Sequence, residues 1–188
     1  PLEERRARAV QMRRTLGVEA GEVGALDPAA IKEVFSESWP VVRDADELHD
    51  ALLTLILLPP VSEWQCFFEE LQAGRRAALT RHAGSAAALP QGETDFWIAA
   101  ERLDKAEDVT AIVRGWMEST GPTTINALAD QLRLLKGNVE SAMARLESEG
   151  QVLRGRFTPA ARSADSEIEW CNRRLLARIH RLTLGKLR

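Results

Sequence analysis

Side chains capable of covalent or metal chemistry are few in this chain and are not clustered. The two cysteines, Cys66 and Cys171, stand more than a hundred positions apart, and the three histidines, His49, His82 and His180, fall in separate segments. No HExxH, CxxC or GxSxG pattern occurs, so the spacing offers no helix-borne zinc pair, no redox dithiol and no nucleophile elbow. The glycines and lysine of a Walker A loop are missing as well, so no backbone cradle for a nucleotide's phosphates is expected and the chain by itself should not hydrolyse ATP. The densest acidic group is Asp44, Asp46, Glu47, His49 and Asp50. A divalent metal would need these to converge. They sit where a helix should begin, and acids there are favoured by the helix dipole, so capping is the expected role. Cys66, beside Trp64 and Phe67, and Cys171 are expected to be core thiols.

Charge points to binding instead. Residues 1–150 hold 16 Lys/Arg against 25 Asp/Glu, whereas residues 151–188 hold 9 against 3, so an acidic body ends in a basic tail. Phosphates respond to the local field within about a Debye length, so the whole-chain net charge of −3 does not exclude a nucleic-acid partner. Arg154 and Arg156 are two residues apart in an alternating segment, hence on one face of a strand, where they can straddle phosphates while Leu153 and Phe157 face the core. A helix from Trp170 to Arg188 should present Arg173, Arg174, Arg178, Arg181, Lys186 and Arg188, with Leu175, Leu176, Ile179, Leu182 and Leu187 inward.

The elements that must position these groups follow from periodicity. Residues 2–15 read as a basic helix. Asp27-Pro28, an N-cap with proline at the first helical position, opens a helix over 28–38 with Ile31, Val34 and Phe35 as its buried stripe. A third helix begins at Asp44, is deeply buried over 52–58, and ends at Pro59-Pro60. A fourth runs from Ser62 to Leu71 with Trp64, Phe67, Phe68 and Leu71 inward, and Gly74 stops it. Residues 78–82 and 96–100 suggest two strands around a small-residue loop at 84–92. Ile112, Val113, Trp116 and Met117 then mark one helix. A second is capped by Thr123-Thr124 and carries Ile125, Leu128, Ala129 and Leu132. After a turn at residues 135–138 a third carries Val139, Met143 and Leu146 and closes at Gly150. The strand at 151–157, a polar loop at 158–166 and a returning strand at 167–170 complete a winged-helix order. In that arrangement the third helix would offer Lys136, Asn138, Ser141 and Arg145 to a major groove, opposed by Glu140, Glu147 and Glu149.

The fold class expected is mainly α (α+β): a helical subdomain at 1–76, a strand-containing connector at 77–104, a winged-helix domain at 105–170 and a basic helix at 171–188. No apolar run approaches the ~20 residues needed to cross a bilayer. The opening PLEERR is no secretory signal, and cysteine usage suggests a reducing compartment, so a cytoplasmic, membrane-free monomer is expected. A chain opening at Pro1 and closing inside a helical pattern also looks like a piece of something larger.

Several strings resemble Lhr-type (large helicase-related) superfamily 2 helicases. GQVLRGRF at 150–157 followed by EWCNRRLLARIHR at 169–181 is similar to that family's EGxVLRGxF…EWCxRRLLARIHR block. PLEERR at 1–6, LDPAAI at 26–31, DADELHDALL at 44–53 and FWIAAERL at 96–103 fit the same family, so the resemblance spans nearly the whole chain. It implies a region C-terminal to two RecA-like motor domains, in a DNA-repair enzyme that moves 3′ to 5′ along DNA. ATP and Mg²⁺ would belong to that parent protein, and the family's ATP residues match nothing here. The implied partners are single-stranded or tailed DNA and the motor domains of the same chain. Trp39, Trp97, Trp116 and Trp170 are available for stacking, although Trp116 and Trp170 lie on core stripes. The nucleic-acid-binding residues expected are Lys136, Asn138, Arg145, Arg154, Arg156, Arg173, Arg174, Arg178 and Arg181. Three other readings stand beside this one: a free-standing winged-helix regulator, a winged helix serving only as an intramolecular docking platform, and a base-processing hydrolase, for which no acid–base pair is evident.

Overall fold

A computed structural model of the chain describes residues 26–81, 95–158 and 167–186. The expected helix at 2–15, the loop at 84–92, most of the polar loop at 158–166 and Leu187 lie outside those residues. The described part is mainly helical with two small antiparallel sheets. In chain order it comprises α1 (Pro28–Ser38), α2 (Ala45–Leu55), a 3₁₀ turn (Ser62–Trp64), α3 (Gln65–Ala73), β1 (Ala77–Arg81) and β2 (Asp95–Ala99). A second 3₁₀ segment (Ala100–Lys105) leads to α4 (Val109–Ser119), β3 (Thr123–Thr124), α5 (Ile125–Leu132), α6 (Lys136–Ser148), β4 (Val152–Gly155), β5 (Glu169–Asn172) and α7 (Arg173–Lys186). Among the described residues no helix is long and apolar enough to cross a membrane.

Helix starts follow their caps. Asp27 accepts from the Ala29 amide with Pro28 at the first position, Asp44 from the Glu47 amide at 2.8 Å, Asp108 from the Ala111 amide and Thr124 from the Ala127 amide. The acidic cluster thus serves the start of α2. Glu47 turns back to the Arg43 amide and guanidinium, and the Arg43 side-chain hydrogen bond holds its carboxyl below the ordinary value. Asp46 pairs with Arg76 at 2.5 Å. Buried His49 places Nε2 3.1 Å from a Glu101 oxygen. Among the described residues no group of three or more His, Cys, Asp or Glu is arranged to hold a metal.

The end of α2 departs from the sequence expectation. The helix stops at Leu55, well before Pro59, because Ile56 takes φ 69° and ψ −63° and the Leu57 amide donates to the Leu55 carbonyl at 2.9 Å. This is a γ-turn in a region that a β-branched residue enters only when its surroundings compel it. Three contacts do so. The Trp116 indole N–H donates to the Leu57 carbonyl at 2.9 Å, and Leu58 and Trp97 exchange two backbone hydrogen bonds, so Leu58 adds a bridge to the β1–β2 sheet. Gly115 of α4 lies against Thr54 and Leu55, letting the two helices approach at backbone distance.

Other local expectations are corrected too. Phe35 is 41% exposed, and the buried positions of α1 are Ala30 and Val34. After α3 it is Arg75, at φ 57°, that takes the left-handed conformation, while Gly74 does not. Residues 135–138 are not a turn: Arg133, at φ 53°, makes it, and Lys136 already opens α6. Gly150, at φ 72°, does close α6. The returning strand lies at 169–172, two residues beyond expectation, so Trp170, Cys171 and Asn172 belong to the sheet and α7 starts at Arg173. Cys66 is exposed, not a core thiol. Cys171 is fully buried, and burial followed by the nearby Glu169 charge pushes its thiol up to about 12.

The strand register decides how the core divides. In the sheet β3-β5-β4, Arg154 pairs with Trp170 and Leu153 with Cys171, and paired residues share a face. Val152 and Trp170 face the main core, which runs from Ala45 to Trp170 through α2, β2, α4, α5 and α6. Cys171 and Leu153 face a second core with Leu26, Ala30, Val34, Phe157 and Ile179, formed by α1 and α7. The sheet is therefore covered on both faces, and α1 and α7 run antiparallel, with the Asp27 amide donating to the Thr183 hydroxyl at 3.1 Å and Arg178 paired with Glu37.

Candidate nucleic-acid interface

The nine residues expected to bind nucleic acid fall into two groups on opposite faces of the β3-β5-β4 sheet. Lys136, Asn138 and Arg145 stand on α6 and Arg154 on the β4 face turned to it, whereas Arg173, Arg174, Arg178 and Arg181 lie on α7 behind the other face. Arg156 extends exposed just past the end of β4, which is an edge strand.

The α6 side is electrostatically mixed. Arg145 lies 3.2 Å from Glu149, and Arg154 lies 3.2 Å from Glu147. Asn138 is half-buried, and Glu140 is exposed beside Lys136. Cations already neutralised by carboxylates at hydrogen-bond distance attract phosphate weakly, because binding must break or share those pairs. An open cleft of about 260 Å³ lies here between the first turns of α5 and α6 and the β4–β5 strands, with Lys136 and Arg154 on its walls.

The α7 side differs. From Arg173 to the end of the chain no Asp or Glu occurs. Arg173, Arg174 and Arg181 are exposed and make no ion pair among the described residues; Arg178 is paired with Glu37 of α1. The orientation of α7 is set at its start, where the Arg173 amide donates to the Gln151 carbonyl at 2.9 Å and the Asn172 side chain accepts from the Arg174 amide at 2.9 Å. Ile179 and Thr183 are buried beneath the helix.

Sequence reasoning missed the residue that holds positions 157 and 158 just after β4. Glu169, 6% exposed, accepts from the Phe157 amide at 2.7 Å, the Thr158 amide at 2.8 Å and the Thr158 hydroxyl at 2.6 Å. A buried carboxylate with three donors anchors the chain where it leaves β4, beside the exposed Arg156. Glu169 alternates with Trp170 in the strand, and an acid at an inward strand position was the available signal. Gly155 belongs to the same device: a Cβ there would stand 2.8 Å from the Phe157 ring, so a side chain at 155 would force that ring to shift within the second core.

Of the tryptophans considered for stacking, Trp97, Trp116 and Trp170 are buried. Trp97 stacks on Phe68 with centroids 4.5 Å apart, and Trp39 packs against Trp116 at 5.5 Å. Compared with protein-family models, curated proteins and solved structures, the chain has no match in any of the three.

Proposed function

We propose that this chain is a nucleic-acid-binding accessory region of an ATP-dependent 3′ to 5′ DNA helicase, holding the backbone of single-stranded or tailed DNA without reading its sequence. The observation that carries the reading is α7: exposed arginines, no acid in the segment, and three guanidinium groups left without an ionic partner among the described residues. Such a surface attracts phosphates, and its contacts are sequence-blind. The succession α4, β3, α5, α6, β4, β5 supports a winged helix, with α6 in the position of the groove-reading helix. Its exposed acids and the Arg145–Glu149 pair make it a poor base reader, and Arg154 is likewise held by Glu147, which moves the DNA contact to α7 and to exposed Arg156 past the end of the edge strand. ATP and Mg²⁺ are assigned to motor domains of the parent protein, and no residue of this chain is given to them.

The test is fluorescence anisotropy with labelled single-stranded, duplex and 3′-tailed DNA across a salt series, for the parent chain and for the R173A/R174A/R181A variant. Each phosphate contact to a single strand contributes about −0.7 to the slope of log K against log salt, so losing three should flatten the slope by about 2. K136A/R145A should change binding much less. Absence of binding at low salt, or a triple variant that binds like the parent, would overturn the reading and make α7 a docking surface for another domain.

A further inference from the structure

We infer that the cleft between α5, α6 and the β4–β5 strands receives one unpaired nucleobase of a bound single strand. Its size sets the first limit. At about 260 Å³ it falls below the ~300–1,000 Å³ of sites for drug-sized ligands, leaving room for a single ring system. Its charge sets the second. Lys136 and Arg154 are balanced by Glu140 and Glu167, so the lining favours a neutral group with a polar edge over a free anion. Its surface chemistry sets the third. Ile168, 51% exposed, stands with half-buried Ile125 and buried Trp170 in the lining of the same concavity. An isolated exposed isoleucine is ordinary. Here it joins other apolar residues in a concavity that also holds polar groups, which is the combination that holds a base drawn out of its stack. The Asn126 amide donates to the Glu167 carboxylate, and both belong to the lining, where they supply donor and acceptor for the base edge. Both are exposed enough to exchange that bond for one with a ligand.

This inference rests on the nucleic-acid reading above, because a base in the cleft presupposes a strand held at its phosphates. The two are separable by experiment. Anisotropy would compare an oligothymidine with an abasic oligonucleotide of equal length, which keeps the phosphates and lacks the bases, for the parent chain, I168A, N126A and R173A/R174A/R181A. The parent chain should bind the abasic strand about tenfold more weakly, the scale of one base stacked on protein. I168A and N126A should weaken oligothymidine binding and leave abasic binding unchanged, while the arginine variant should weaken both. Equal affinity of the parent for the two strands would overturn the base site and leave the backbone reading standing, as would an I168A variant that loses both equally. No binding to either strand would overturn both.

Discussion

Replacing Gly115 by alanine tests whether α2 and α4 meet at backbone distance. Two effects of opposite sign compete. Alanine is the better helix former by up to about 1 kcal/mol, so on propensity alone the substitution should stabilise α4. The packing says otherwise. The added Cβ would lie 2.0 Å from the Thr54 carbonyl oxygen and 3.3 Å from the Leu55 Cα, where ordinary contact begins near 3.4 Å. These are backbone atoms, so no side chain can swing aside. The two helices must separate, and they carry Leu52, Leu55, Ile112 and Trp116 of the main core as well as the γ-turn at Ile56. Overpacking of this kind costs about 1–3 kcal/mol and often more when backbone must move, so G115A should lose about 2 kcal/mol net. For a chain of this size that lowers Tm by about 4–8 °C. Thermal and urea denaturation followed by circular dichroism would measure it. G137A is the control, because nothing lies within 4 Å of a Cβ at that helical position and its Tm should hold or rise. A G115A protein as stable as its parent, or more so, would refute the close approach and the account of the γ-turn built on it.

Two further perturbations address the β4–β5 unit. E169A would leave the Phe157 and Thr158 amides without their acceptor and should cost about 3 kcal/mol, with protease nicking near residue 158 rising in parallel; E169Q, which keeps one acceptor oxygen, should cost less, and equal stability of E169A and parent would remove the anchoring role. The cysteines should separate cleanly, with Cys66 labelled by a maleimide at neutral pH and Cys171 only on unfolding. Because the folded Cys171 thiol is raised to about 12 from an ordinary 9.0, the unfolded chain gives up its proton first as pH climbs. That part of the stability is present below about pH 9 and is lost progressively toward pH 12, a decline that C171A should lack.

Much of the fold is legible in the residues. Asp27-Pro28, Asp44, Thr124 and Gly150 fix helix ends through local hydrogen bonds and backbone preference, and the stripe of Ile112, Val113, Trp116 and Met117 is buried as its spacing requires. These depend on residues within one or two turns, so a linear reading reaches them. The basic tail is likewise composition, and the strand that carries Arg154 follows from alternation.

What the chain order does not carry is the choice of distant partners. Leu57 and Leu58 continue a helical apolar run in sequence, yet leave the helix because Trp116 and Trp97 offer their backbone groups hydrogen bonds from the far side of the core. Phe35 fits a helical stripe but stays 41% exposed, because the second core is filled through Ala30 and Val34 by Phe157, Cys171 and Ile179. Arg154 looks like a phosphate ligand in its alternating strand until α6 sets Glu147 3.2 Å from it, whereas the arginines of α7 keep their charge available because their helix has no acids and, among the described residues, one carboxylate pairs with them, Glu37 on Arg178. Local hydrogen bonding and side-chain period are set by neighbours in sequence; which face is covered, and which charge is neutralised, is set by segments brought together only when the core closes.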